Sequence, residues 1–143
     1  MTDMLSLNMN SHVLEIGTGC GYQTAILAAL AGEVFSVELV PELANAASVR
    51  LKQCGYFDVH IRIADGWGGW PEYAPYEAIL VTAAAPMIPS TLVDQLSTGG
   101  RMVIPIGKQD STQYLTLIEK NLSGKTTESE CLPVSFVPLA RSG

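Results

Sequence analysis

The stretch His12-Val13-Leu14-Glu15-Ile16-Gly17-Thr18-Gly19-Cys20-Gly21-Tyr22 carries the organisation of the chain. Its first five residues form a short apolar run, three glycines follow at every second position, and the Ala- and Leu-rich run 22–31 reads as a helix that Gly32 stops. Strand, glycine turn and helix in that order open an alternating α/β fold. Glycines let the backbone turn sharply and approach a ligand closely. A helix N-terminus behind them presents unpaired N–H groups and the positive end of its dipole. Such a turn suits a carboxylate, a ribose or a phosphate.

The alternation continues outward from that unit. Residues 33–37 (EVFSV) read as a second strand. A helix is predicted over 41–53, with Pro41 in its first turn, Leu43, Ala47 and Leu51 recurring every four residues, and Gly55 as its stop. Residues 59–63 alternate as a third strand, and 78–81 form a fourth between Pro75 and Pro86. A short helix over 89–96 precedes a turn at Gly99-Gly100 and a fifth strand over 101–106. A sixth strand is expected over 113–119, a turn over 121–124, and a last extended stretch near 134–137. Strands alternating with helices predict a Rossmann-like, doubly wound α/β fold with a mostly parallel sheet, and the last forty or so residues predict an antiparallel hairpin at one edge. No repeat, low-complexity run or linker divides the chain, so 1–143 reads as one domain.

Composition narrows the function classes. Of 143 residues 48% are apolar and 15% charged, which argues for a packed core and against disorder. Eight basic against 14 acidic residues give a net charge of −6 with no basic cluster, which opposes nucleic-acid backbones and anionic membrane surfaces as partners. No apolar run approaches the roughly 20 residues of a membrane span, and the opening MTDMLSLNMN lacks the features of a signal peptide. Cys20, Cys54 and Cys131 show no CxxC spacing, so neither zinc nor a disulfide framework is expected and a reducing cytoplasm fits best.

The glycine spacing separates two cofactor classes. A dinucleotide turn, GxGxxG, would place its third glycine at position 22, which is Tyr22; here the glycines stand at 17, 19 and 21. Glu15, two residues before the first, can accept from a cationic amine, and ExGxGxG is the pattern of S-adenosylmethionine sites. Three further elements fall at strand ends. Glu38 ends the second strand and can hold both hydroxyls of a ribose, or else is a solvated surface acid. Asp65-Gly66 follows the third strand as an adenine contact or a simple turn. Thr82 opens a run of small residues after the fourth strand that leaves room for a ligand or only packs on the sheet. In a parallel sheet all these carboxyl ends share one edge, so the elements converge. His12 and His60 belong to the opposite edge and read as structural or exposed. Cys20 is expected to fill space within the turn. Of Trp67 and Trp70, one is expected in the core and one on the wall of the pocket. No Ser/His/Asp arrangement, metal-ligand spacing or catalytic residue is identifiable.

Several blocks resemble those of the protein-L-isoaspartate O-methyltransferases: VLEIGTGCGYQTAILA, VFSVELVPELA, ADGWGGWPEYAPYEAILVTAAAP, GGRMVIPIG and the closing LPVSFVPL, together running from Val13 to Leu139. The resemblance implies a class I methyltransferase fold and methyl transfer from S-adenosylmethionine to the α-carboxylate of L-isoaspartyl residues in damaged proteins and peptides. The ester then collapses to a succinimide whose hydrolysis restores some aspartate. By position it implies that Glu15, Gly17, Thr18, Gly19, Cys20 and Gly21 meet the methionine part, Glu38 the ribose, Asp65 and Gly66 the adenine, and that Thr82 borders the pocket. Cys20 stands where Ser is more usual, and Ser97-Thr98 replaces a common Lys-Pro. The family's N-terminal segment, with its Thr/Ile-Ser motif, has no counterpart, so a truncated chain with an open pocket wall is expected. Two alternatives stand beside this reading: a non-catalytic cofactor-binding or interaction domain, and a methyltransferase of another acceptor such as RNA, which the acidic balance opposes.

Overall fold

The computed structural model describes residues 1–108 and 110–141. Seven strands form one sheet in the order β3-β2-β1-β4-β5-β6-β7. They are β1 (His12–Ile16), β2 (Glu33–Glu38), β3 (Val59–Ile63), β4 (Tyr76–Val81), β5 (Leu96–Ile106), β6 (Gln113–Lys120) and β7 (Thr126–Val134). The first five pair in parallel, and β5–β6 and β6–β7 are antiparallel, which is the expected mostly parallel sheet with a C-terminal hairpin on one edge.

β1 lies between β2 and β4 and is buried on both faces, which is why its run is apolar almost throughout. Its alternation divides two cores. Leu14 and Ile16 join Phe35, Val37, Ile79 and Val81 on one face, under Leu92 of helix α3 (Ser90–Gln95). Val13 joins Val34, Leu80 and Val103 on the other, under Leu27 and Ala31 at helix α1 (Tyr22–Leu30) and Leu5 of the N-terminal turn. The crossovers explain the two faces. The chain steps outward from β1 through α1, β2 and helix α2 (Pro41–Gln53) to β3, then returns past β1 to β4 and steps the other way.

The β3–β4 crossover carries two short 3₁₀ turns, Gly66–Gly68 and Pro71–Tyr73, in place of a helix. Aromatic rings fill that layer. Phe35 lies 4.7 Å from Tyr73 and 5.3 Å from Trp70, and the Tyr76 hydroxyl donates to the Trp70 carbonyl at 2.5 Å. His12 and His60 sit at the amino edge as expected, stacked on Tyr76 and Phe35 and both beside Glu33.

Three features differ most from the sequence reading. Of the predicted α2 stripe Ala47 and Leu51 are buried with Ala44, while Leu43 turns outward, 43% exposed. Gly99-Gly100 lies inside β5, where the register against β4 shifts, rather than in a turn before it. β7 starts at Thr126, well before 134–137. The Asn121 side chain accepts from the N–H groups of Ser123 and Lys125, so the hairpin closes at once and pairs from Lys120 with Thr126. β7 is exposed along nearly its whole length, so no apolar alternation marks it in the sequence.

Candidate functional site

The turns after β1, β2, β3 and β4 meet at the carboxyl edge of the sheet, around a cavity of about 300 Å³. Ile16 and Val37 line it, with Gly17, Gly19, Glu38, Gly66 and Thr82 from the predicted set. Gly17, Gly19 and Gly21 all have left-handed backbones, with φ of 98°, 55° and 88°, which residues with a Cβ rarely adopt. A Cβ on Gly17 would also collide with the Thr82 hydroxyl. That hydroxyl donates between the carbonyls of Gly17 (2.9 Å) and Ile16 (3.1 Å), so the loop after β4 is fastened to the turn after β1.

Glu38 is the anchor of the site. It is 7% exposed, which excludes a solvated surface acid. Its Oε1 accepts from the Gly19 N–H at 2.8 Å and its Oε2 from the Val40 N–H at 3.0 Å. Each carboxylate oxygen retains a further lone pair, and the residue borders the cavity. Gly66 also borders it, and a Cβ there would strike Ile16.

The other predicted residues stand behind the lining. The Asp65 carboxylate accepts from the Trp67 N–H at 2.8 Å and caps the 3₁₀ turn, while its neighbour Gly66 makes the wall. Thr18 is buried, and Gly21 packs on Ala47 of α2. Cys20 does not fill space as expected: flanked by two left-handed glycines its side chain is exposed, and its carbonyl accepts from Arg50 at 3.1 Å. Neither tryptophan lines the cavity. Trp70 belongs to the aromatic layer, and Trp67 braces the wall from behind, donating its indole N–H to the Leu139 carbonyl.

Glu15 departs furthest from the sequence reading. It has no exposure and no surface in the cavity. The period of β1 turns it to the α1 face with Val13, where Oε1 accepts from Thr24 (2.5 Å) and Ser36 (2.6 Å). Oε2 is buried without a partner. Burial pushes the carboxyl up to about 7; the two hydroxyls oppose that rise and the charge of Glu38 adds to it.

The segment 137–140 completes the wall and was missed from the sequence. It runs beside the loop after β4, with the Ala84 N–H donating to the Val137 carbonyl and the Leu139 N–H to the Ala84 carbonyl, each at 2.8 Å. Gln113 fixes its start through both backbone groups of Phe136. Val40 and Leu43 form the opposite lip, 40% and 43% exposed. No strand-end rule points to 137–140, since it follows an antiparallel strand; the outward lean of Leu43, off the Ala44/Ala47/Leu51 stripe, was the available signal for the lip.

Among the described residues no group of three or more His, Cys, Asp or Glu is placed to hold a metal ion, and no helix is long and apolar enough to cross a membrane.

Comparison with known proteins fixes the family. The family model described as protein-L-isoaspartate(D-aspartate) O-methyltransferase matches residues 1–142. The chain belongs to this family. Among its members, protein-L-isoaspartate O-methyltransferase 1 of Nitrosospira multiformis is 52% identical over 139 residues, covering 97% of this chain and 59% of that protein. The chain therefore spans less than two thirds of that relative's length. A solved protein-L-isoaspartate O-methyltransferase superposes with a TM-score of 0.89 at 29% identity, over 97% of this chain and 45% of the other. A Plasmodium falciparum protein described as a member of the same family, in complex with S-adenosyl-L-homocysteine, gives a TM-score of 0.82 at 26% identity, over 95% and 68%.

Proposed function

We propose that this chain binds S-adenosylmethionine in the carboxyl-edge cavity and transfers its methyl group to the α-carboxylate of L-isoaspartyl residues in damaged proteins, as a step of protein repair. The observation that carries the reading is Glu38, tied by two backbone N–H groups at the edge of a glycine-lined cavity with lone pairs left for vicinal hydroxyls. The residues present fit the cofactor. A cavity of about 300 Å³ lies at the small end of ligand sites. Ile16, Val37 and Leu39 give it an apolar lining, and the left-handed glycines leave the backbone bare for close approach. Gly66 lines it from the third strand end and Thr82 and Ala83 from the fourth, and Asp65 shapes the wall through the turn it caps.

When bound, the cofactor supplies a methyl group already activated on a sulfonium. The acceptor carboxylate is ionised at neutral pH and is itself the nucleophile, so no general base is needed. Among the described residues no His, Lys or Cys lines the cavity. The residues act by holding, aligning and drying the reactants: Glu38 and the turn fix the nucleoside, and Thr82 fixes the turn. The partners are damaged proteins or peptides bearing L-isoaspartate. The exposed, unpaired thiols of Cys20, Cys54 and Cys131 suit the reducing cytoplasm, where we place the chain.

A second reading, cofactor binding without transfer, is supported by the exposed lip at Val40, Leu43 and Val137, the last 71% exposed. Calorimetry with S-adenosylmethionine and S-adenosylhomocysteine, alongside transfer of labelled methyl to an isoaspartyl peptide, its aspartyl counterpart and an RNA, separates the readings. Transfer confined to the isoaspartyl peptide is expected. Binding without any transfer selects the second reading, transfer to another acceptor overturns the specificity, and no binding overturns both.

A further inference from the structure

Glu15 stands one residue from the cavity lining without touching the cavity, and its hydrogen bonds lead back to the turn. A carboxylate only accepts, so when Glu15 is ionised both Ser36 and Thr24 donate to its Oε1. The proton of Ser36 is then committed to Glu15, and its oxygen takes the proton of the Thr18 hydroxyl 2.5 Å away. Thr18 lies between Gly17 and Gly19, both of which line the cavity, and the N–H of Gly19 is one of the two that Glu38 holds. A line of hydroxyls thus runs from the buried carboxyl to the turn, with one polarity while Glu15 is ionised. A proton on Oε1 makes the carboxyl a donor and reverses that polarity. Oε2 has no partner, so nothing else among the described residues shares the charge. Around it β2 brings the Ser36 hydroxyl and Glu38, the ionisable group that acts on Glu15, α1 brings the Thr24 hydroxyl, and β4 sets Leu80 beside it in register.

We propose that Ser36 is a positioning residue for the cavity: paired with Glu15, it fixes the Thr18 hydroxyl and so the glycine turn against which a sulfonium nucleoside is held. The inference rests on the cofactor reading above and deepens it. A cation in the cavity favours the ionised form of Glu15, so binding drives the proton off Glu15. Burial raises the pH at which Glu15 ionises and the bond from Ser36 lowers it, so loss of Ser36 moves the ordering of the turn for the ligand to higher pH.

The test is calorimetric titration of the chain with S-adenosylmethionine and S-adenosylhomocysteine across the pH range around 7, where Glu15 titrates. The parent is expected to bind the sulfonium more tightly as pH rises through that range, with a smaller change for the uncharged thioether. Glu15→Gln removes this step. Ser36→Ala lowers affinity on the alkaline side by about tenfold and moves the step to higher pH, because the ionised carboxyl has lost a donor. The ligand's own ammonium titrates alike in every case and cancels between variants. Thr18→Val, which cuts the line at the turn and leaves Glu15 bonded, lowers affinity with the step unmoved, and it serves where Ser36→Ala does not fold. A step that Glu15→Gln leaves in place, or one that Ser36→Ala leaves in place with affinity unchanged, overturns the proposal. No binding of either ligand to the parent at any pH overturns the cofactor reading itself, and this inference with it.

Discussion

Replacing Glu15 by Gln isolates the cost of a charge inside the sheet. In the unfolded chain this carboxyl titrates near 4.5; in the fold, burial pushes it to about 7. Between those values the native state holds a proton that the unfolded state has released. Stability from this group is therefore fully present below about pH 4.5 and is lost as pH rises through 7. At about 1.4 kcal/mol per pH unit between the two titrations, the loss amounts to ~3 kcal/mol. Gln keeps the acceptor for Thr24 and Ser36 but places an N–H₂ where Oε2 stands without a partner, which costs about 1–3 kcal/mol at every pH. Urea unfolding of parent and variant, followed by circular dichroism from acid to mildly alkaline pH, gives the difference in stability. The variant should be the less stable protein in acid and gain ~3 kcal/mol on the parent by the alkaline end. A difference that stays constant across the range refutes the reasoning, since it would mean that Glu15 titrates alike in both states.

Three further outcomes follow from the same geometry. Glu38→Ala should weaken S-adenosylmethionine binding by about 1.5–3 kcal/mol in calorimetry, the scale of a lost hydrogen bond to a charged group, and unchanged affinity would place the acid off the ribose. Gly17→Ala should destabilise the fold by about 1–3 kcal/mol in urea, because it forces a left-handed residue against the Thr82 hydroxyl; a neutral result would mean the turn relaxes freely. Trp67→Phe removes the donor to the Leu139 carbonyl, so the Leu139 amide, bonded to Ala84, should exchange with deuterium faster while amides of β1 do not change.

What the sequence shows of the fold depends on where side chains meet the core. β1, β2 and β4 were legible because each is largely buried and apolar, β3 because its residues alternate, and the glycine turn because its three left-handed backbones admit little else. β7 was misplaced because a strand exposed on both faces has no pattern to read, and the tight Asn121 turn that starts it is a matter of hydrogen bonds rather than periodicity. At the site, the strand-end argument placed Gly17, Gly19, Glu38, Gly66 and Thr82 on the lining because parallel strands share an edge. It failed at Glu15 because residue type names a chemistry without naming a face: a period of two had already assigned that side chain to α1. It failed at 137–140 because that stretch reaches the cavity by crossing over the edge, a path set by hydrogen bonds to Ala84 and Gln113 from distant parts of the chain.

The positions of the two indoles have an optical consequence. Trp67 is bonded to the strap that walls the cavity, with the Arg141 guanidinium 4.1 Å above its ring, while Trp70 is enclosed by Phe35 and Tyr73 in the crossover layer. One fluorophore thus registers the seating of the strap and the other the integrity of the aromatic layer. Proteins carrying a single tryptophan at either place would report wall movement and global melting as separate signals, with no external dye.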